Sequence, residues 1–460
     1  MNTHAKRASF KLAPFKLATL SALLLSLCSA ASAMDLLQAY QAAQKNDATL
    51  LAARATAAAG RERLPQATAQ LLPNLSANLA RTNNQLANTG TDFTGKEQTV
   101  STGYPSNNQS VTLRQPLYRP YLSAQYRQAQ AQVADAEATL SQEEQSLAVR
   151  VSGAYFEALL THDQLALILA QRSAYTTQLD AATKSLAAGS GTRTDIDEAR
   201  ARLDMNAALE IEARQNVDYT RQQLQILVNQ AADASAEPLS PLDAGKLNKL
   251  ERLPTDLAHW TARAEQSSPQ LQSLNAQVEA ARREVDKAQT GHLPTLDAVA
   301  QWTSSASENV TNLKSRYVNN TLGLQLSIPL FAGGFVNASV RQALAAQERA
   351  EQLMEAGRRD LNLRIYKEVR GVSEGLPKMA ALEQALRSAD QLVVSSRKSF
   401  QAGSRTVLDV LNAEQQRLSV MRDLSQARYI YLIARIRLLA LVGGADEAAL
   451  AGISALLVSK

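Results

Sequence analysis

Beyond residue 33 the chain is written in two hydrophobic periods, and it passes through both of them twice. Val133, Leu140, Leu147 and Ala154 are seven apart, while Val410, Ala413, Val420, Leu424, Ala427, Tyr431, Ala434 and Leu438 follow steps of three and four, with Arg417 in one seam position. Such spacing predicts long helices packed as coiled coils, and the many alanines allow close helix approach. Elsewhere the period is two. Leu75, Ala77 and Leu79 alternate with Ser76, Asn78 and Ala80; Val111 and Leu113 alternate with Thr112 and Arg114; Leu322, Leu324, Leu326 and Ile328 alternate with Gly323, Gln325 and Ser327. Weak alternation of this kind is the signature of strands with one face to lipid.

These periods predict a helix over 35–70, strands over 72–86 and 107–115, and helices over 117–187 and 195–229. The second half repeats the order: helix 255–291, strands 294–307 and 319–328, helices 334–401 and 408–442. Asn-, Thr- and Ser-rich loops are expected at 87–106 and 308–318. A helix of about 70 residues runs on the order of 100 Å, too long for a compact globule. Pro73, Pro116, Pro294 and Pro329 stand where helix is expected to meet strand; proline ends helical hydrogen bonding and biases its predecessor toward extended backbone.

The repetition has landmarks. Leu72-Pro73-Asn74-Leu75 returns as Leu293-Pro294-Thr295-Leu296, and Gln115-Pro116-Leu117-Tyr118 as Ile328-Pro329-Leu330-Phe331. Ala188-Gly189-Ser190 with Thr192 and Asp195-Ile196 returns as Ala402-Gly403-Ser404 with Thr406 and Asp409-Val410. Pro73 to Pro294, Pro116 to Pro329 and Asp195 to Asp409 are shifts of 221, 213 and 214 residues, one duplication with small loop differences. The expected organisation is a signal peptide (1–33), a first repeat (34–240), a connector (241–254) carrying Pro241 and Gly245, a second repeat (255–445) and a C-terminal tail (446–460). Four strands cannot close a barrel alone, and an open edge in lipid leaves backbone groups unpaired. Oligomerisation is the physical way out.

Charge changes the picture mainly at the N-terminus. Lys6, Arg7, Lys11 and Lys16 precede an apolar run from Leu17 to Leu27 and the small residues Ala31-Ser32-Ala33, the pattern of a cleaved export signal with Met34 as the new first residue. Removing those four from 48 basic side chains leaves 44 against 43 acids, so the net charge gives no case for nucleic-acid binding. The one cysteine, Cys28, follows Leu27 rather than a small residue, which disfavours a lipid anchor there and leaves an exported chain without disulfides or thiolate metal sites. Past Ala33 no run of about 18 apolar residues occurs; Tyr429 to Val442 is interrupted by Arg435 and Arg437, which excludes a spanning helix but not a barrel.

No catalytic constellation emerges. The four histidines, His4, His162, His259 and His292, lie in separate segments, and no metalloprotease, thiol-redox, serine-hydrolase or phosphate-loop motif is present. The chain is therefore expected to be no enzyme and to need no cofactor or metal. Glu143-Glu144 is a paired acid on a long helix, most simply a solvated face.

In order along the chain, Ala288 to Asp297 (AQTGHLPTLD), Ser327 to Ala343 (SIPLFAGGFVNASVRQA), Ala402 to Ala413 (AGSRTVLDVLNA) and the stretch ARYIYLIARIRL resemble the TolC-type outer-membrane efflux proteins. The resemblance covers nearly the whole chain past Ala33. It implies a mainly α protein with a transmembrane β part: a homotrimer sharing one twelve-stranded β-barrel, four strands per chain, continued into a periplasmic α-helical barrel that tapers shut. The function it implies is a passive outer-membrane exit duct for an efflux pump or type I secretion system. A periplasmic adaptor and an inner-membrane transporter of ABC, RND or MFS type would be its partners.

By the same resemblance the closed tip would be latched by Thr194, Asp195, Phe400 and Arg405, with Asp195 facing Arg405 of a neighbouring hairpin; Phe400 stands where relatives often carry tyrosine. Asp409 and Asn412 would form the constriction ring, with Asn412 in place of a second common acid. Gly189, Ser190, Gly403 and Ser404 would be the adaptor-docking tips. Read from the residues alone, Asp195 is equally a helix N-terminal acid stabilised by the helix dipole, and Asp409 a partner of Arg405 along its own helix. His292, Pro294 and Gly333-Gly334 are expected to be structural. The alternative functions are a periplasmic coiled-coil adaptor, whose single hairpin would not produce this duplication, and an inert coiled coil, which would have no use for proline-marked strand pairs.

Overall fold

The computed structural model describes residues 33–229, 239–308 and 314–458. In the first repeat the helices α1 (Leu36–Asn46), α2 (Ala48–Arg61) and α3 (Arg63–Ala69) lead to strands β1 (Asn74–Thr91) and β2 (Glu97–Tyr118), then to α4 (Pro120–Ala187) and α5 (Arg193–Val228). In the second, α6 (Leu257–Ser267) and α7 (Pro269–Gln289) lead to β3 (Thr295–Glu308) and β4 (Lys314–Ser327), then to α8 (Phe335–Gln401), α9 (Val407–Leu441) and a closing α10 (Glu447–Ser454). The duplication is explicit in length. The long helices α4 and α8 have 68 and 67 residues, and their return helices α5 and α9 have 36 and 35.

The four strands form one antiparallel sheet in the order β1-β2-β3-β4, so the β2–β3 pairing joins the repeats. Its register puts Leu75, Leu113, Ala300 and Leu322 in one row across the sheet, and Ser76, Thr112, Gln301 and Thr321 in the next. Neighbouring rows face opposite sides of a pleated sheet. One face is therefore apolar and the other polar, and Leu75, Leu79, Leu322, Leu324 and Leu326 are all exposed within the single chain.

The strands run farther than the sequence pattern predicts. The expected loop 87–106 is mostly ladder, and its turn is confined to 92–96, where Asp92 accepts the Thr94 and Lys96 N–H groups and Gly95 takes a positive φ of 82°. Polar residues read as loop, yet here they pair across the ladder, Thr82 with Ser106 and Thr89 with Thr99. From the expected loop 308–318, residue 308 ends β3 and 314–318 belong to β4; the rest lies outside the described residues. Pro116 lies inside β2 rather than at a junction, at the register shift between Pro116 and Tyr118, where a missing N–H is tolerated.

Each predicted single helix before a strand pair is broken. Asp47 ends α1 and caps α2 by accepting the Thr49 N–H at 2.7 Å, and Pro269 opens α7 at a position where its absent N–H costs nothing. The breaks let short helices stack on the ends of the return helices. Asn46 Nδ2 donates to Val228 O at the end of α5, and Ser267 Oγ donates to Val442 O just past α9. The expected tail likewise contains α10, capped by Asp446, with Leu450 and Ile453 buried. The main core gathers here around Trp260, Tyr155, Phe156, Leu36, Leu432 and Leu450. The buried Tyr155 hydroxyl lies 3.0 Å from Met34 O and 3.1 Å from Ser240 O, and Trp260 Nε1 donates to Pro254 O. At the foot of the sheet, Arg119 forks onto Asp297 (2.7 and 2.5 Å), which is only 4% exposed, so an ion pair ties the start of α4 to β3 of the other repeat.

Candidate gate at the hairpin tips

The two turns farthest from the sheet are built alike. After α4, Gly189 adopts φ 77°, the Ser190 N–H and Oγ–H both reach Ser185 O (3.0 and 3.2 Å), and Thr192 caps α5. After α8, Gly403 adopts φ 73°, Ser404 makes the same two bonds to Ser399 O (2.9 and 3.1 Å), and Thr406 caps α9. A left-handed residue here closes a helix C-terminus on its own carbonyls, and glycine does so without strain. Gly189, Ser190, Gly403 and Ser404 thus form two matched protruding loops, in which both glycines and both serines are exposed.

Asp195 and Asp409 are the third residues of their helices and complete reciprocal capping boxes. Asp195 Oδ2 accepts from the Thr192 N–H (3.0 Å) and hydroxyl (2.7 Å), while its own N–H donates back to Thr192 Oγ1 (3.2 Å). Asp409 Oδ2 accepts from the Thr406 N–H and hydroxyl, both at 2.9 Å, and its N–H returns to Thr406 Oγ1 (3.3 Å). The Thr406 donors hold the Asp409 carboxyl below its ordinary pKa, with the Arg405 charge a smaller contributor. In both boxes the cap bonds converge on Oδ2, and Oδ1 takes no part in the cap.

Within one chain Arg405 does not meet Asp195. Its Nη1 turns to Ser396 Oγ of its own hairpin at 3.3 Å, and Thr194 is exposed. Phe400 lies against a small apolar seam of Tyr175, Val407 and Leu411, with Leu203 beside it, and this seam joins the α4–α5 hairpin to the α8–α9 hairpin. Asn412, three residues past Asp409, is engaged from the other hairpin: Arg202 on α5 donates to Asn412 Oδ1 at 2.8 Å and to Gln415 Oε1 at 2.9 Å. Arg202 escapes a sequence reading because its acceptors are neutral amides some 210 residues away. The one local sign is that it follows Asp195 by seven residues, hence lies on the same face of α5.

The tips hold an acid, a cation and hydroxyls without a nucleophile–base pair, and among the described residues no group of three or more His, Cys, Asp or Glu could hold a metal ion. No helix of the described residues is long and apolar enough to cross a membrane, which bears on helices and not on the sheet.

The profile of the family described as outer membrane efflux protein matches residues 39–230 and 260–444. The alkaline protease secretion protein AprF of Pseudomonas aeruginosa is 36% identical over 441 residues, covering 95% of this chain and 90% of that protein. The proteases secretion protein PrtF of Dickeya chrysanthemi is 32% identical, covering 91% of this chain and 90% of that one. Among solved structures, the Campylobacter jejuni CmeC outer membrane channel superposes with a TM-score of 0.77 at 15% identity, over 90% of this chain and 87% of that one.

Proposed function

The chain belongs to the outer membrane efflux protein family and is an outer-membrane exit duct; we propose that its cargo is exported polypeptide, delivered by a type I secretion assembly. The cargo class rests on the two protease-secretion relatives, each matched along nearly its whole length. The adaptor alternative finds no support among the relatives, and the duplicated strand pairs have no place in it.

The observation that carries the proposed mechanism is the sheet, apolar on one face and polar on the other, with β1 and β4 as its two outer strands among the described residues. Three copies pairing β4 to β1 close a twelve-stranded barrel that turns its apolar rows to lipid and its polar rows to water, with no open edge left. The long helices extend the wall toward the inner membrane. At their tips Gly189-Ser190 and Gly403-Ser404 offer a repeated docking edge to a periplasmic adaptor, and behind it stands an inner-membrane transporter that supplies the energy. In the closed trimer Arg405 reaches Asp195 of a neighbouring protomer through Oδ1, and Asp409 with Asn412 rings the constriction.

Complementation tests the reading. In a protease-exporting Gram-negative strain lacking its own duct, this chain should restore extracellular protease and run as a heat-dissociable trimer from outer-membrane fractions. Protease held inside the cells, with the trimer present, would argue for small-molecule export instead.

A further inference from the structure

We infer that Arg202 is a positioning residue of the gate, a tie within each protomer that holds the second hairpin against the first and so fixes where Asp409 and Asn412 stand. The inference rests on the duct reading and adds to it a residue outside the Thr194, Asp195, Phe400 and Arg405 set.

The geometry is specific. One guanidinium from the middle of the first turns of α5 reaches two side-chain oxygens on α9, Asn412 Oδ1 through Nη2 and Gln415 Oε1 through Nη1. The acceptors are three residues apart and so lie on one face of α9. A planar fork meets two such oxygens at once, which a lysine ammonium on its flexible stem does not reproduce. The next residue along α5, Leu203, lies at the apolar seam with Tyr175, Phe400, Val407 and Leu411, so the polar tie and the apolar contact fall at the same level. Farther up the shaft the Tyr429 hydroxyl donates to Asp163 at 2.8 Å, again linking α9 to the first hairpin. A swing of the second hairpin about the shaft would have to break the Arg202 fork near its free end, where displacement is largest.

Asn412 supplies a second consequence. Its amide oxygen, like that of Gln415, is neutral, so Arg202 brings positive charge beside a residue three positions from Asp409. A carboxylate at 412 would turn this charge-assisted bond into an ion pair, a stronger tie. Asn412→Asp should therefore close the gate more tightly, and only while Arg202 is present.

The test uses full-length wild type, Arg202→Ala, Asn412→Asp and the double variant as purified trimers in planar bilayers, with Arg405→Ala as a separate gate control. Arg202→Ala should raise resting open probability about tenfold, the scale of one charge-assisted hydrogen bond, with unchanged heat-dissociation of the trimer. Asn412→Asp should lower it, and in the Arg202→Ala background should no longer do so. Wild-type gating in Arg202→Ala beside a leaky Arg405→Ala would overturn the inference and leave the duct intact. An Asn412→Asp effect that persists without Arg202 would also overturn it, since the carboxylate would then act through the ring alone. If the wild-type trimer forms no pore at all, the duct reading fails and takes the inference with it.

Discussion

At the scale of single residues each tip acid caps its helix through one oxygen. Oδ2 of Asp195 and of Asp409 closes a helix N-terminus, while the proposed latch would use Oδ1 of Asp195. The proposed charge-assisted bond from Arg405 to Asp195 of a neighbour would contribute about 1.5 to 3 kcal/mol, less where water reaches it. Arg405→Ala and Asp195→Ala should each make the resting duct leaky at normal trimer level, and the double variant no leakier than either, measured as resting conductance. Equal, wild-type conductance in both single variants would leave the gate to other contacts. For Asp409, donation from Thr406 sets the folded pKa below the unfolded one. Its stabilising contribution is then complete above the unfolded value and is lost only as pH falls through the lowered folded value. Block by periplasmic-side divalent cations should accordingly persist down to the ordinary aspartate pKa of about 3.9, and should weaken in Asp409→Ala at every pH. Block that titrates away well above that point would mean that three converging carboxylates raise one another more than Thr406 lowers each.

The same cap makes a purely local prediction. Thr406→Ala removes the acceptor for the Asp409 N–H and a donor to its carboxylate, a loss of about 1 kcal/mol for a helix N-cap. Amide exchange across the first turn of α9 should quicken about fivefold at that cost, with the long shaft unaffected. An unchanged rate would mean that Arg202 and the apolar seam, rather than the cap, hold this turn in place.

At the scale of elements, packing decides against local preference. Gly375 lies in α8, where alanine would ordinarily be favoured by about 1 kcal/mol. A Cβ there would stand 2.7 Å from Tyr431 Cδ2 and 3.3 Å from its Cβ, and Tyr431 is buried and cannot swing aside. Overpacking costs about 1 to 3 kcal/mol, so Gly375→Ala should lower the thermal midpoint of the trimer; a rise would show that α8 and α9 separate there freely. What the sequence revealed at this scale follows from what each element reports about itself. Seven-residue spacing marked α4, and steps of three and four marked α9, because their buried stripes recur at those periods, and Gly189 and Gly403 marked the ends of α4 and α8 because the turn needs a positive φ. The strand pairs were read too short because Asn, Thr and Ser serve a water-facing ladder as well as a loop. The break at Asp47 was missed because its cap lies inside an unbroken apolar period, whereas Ser268-Pro269 carries its own signal. Arg202 stayed hidden for a different reason: two amide acceptors in another hairpin leave no charge pattern to find.

At the scale of the whole molecule, the single chain is an unfinished wall, and its sheet states which side of the wall is which. The row Leu75, Leu113, Ala300, Leu322 and the row Ser76, Thr112, Gln301, Thr321 differ by one residue along each strand, so neighbouring positions 321 and 322 test opposite faces of one barrel. Leu322 is 85% exposed in the chain, a cost that contact with lipid removes. An arginine on the lipid face costs about 2 to 4 kcal/mol at the bilayer midplane, whereas a lumenal one alters selectivity and leaves the fold. Leu322→Arg should therefore deplete trimer from the outer membrane. Thr321→Arg should keep trimer near wild-type level and shift the reversal potential of the open pore toward anions. Both variants add the same side chain one residue apart, so a general intolerance of arginine in β4 would affect them alike. Depletion by Thr321→Arg with Leu322→Arg tolerated would invert the faces and with them the direction of the barrel wall; equal depletion by both would place this part of β4 against protein on both sides rather than between lipid and water.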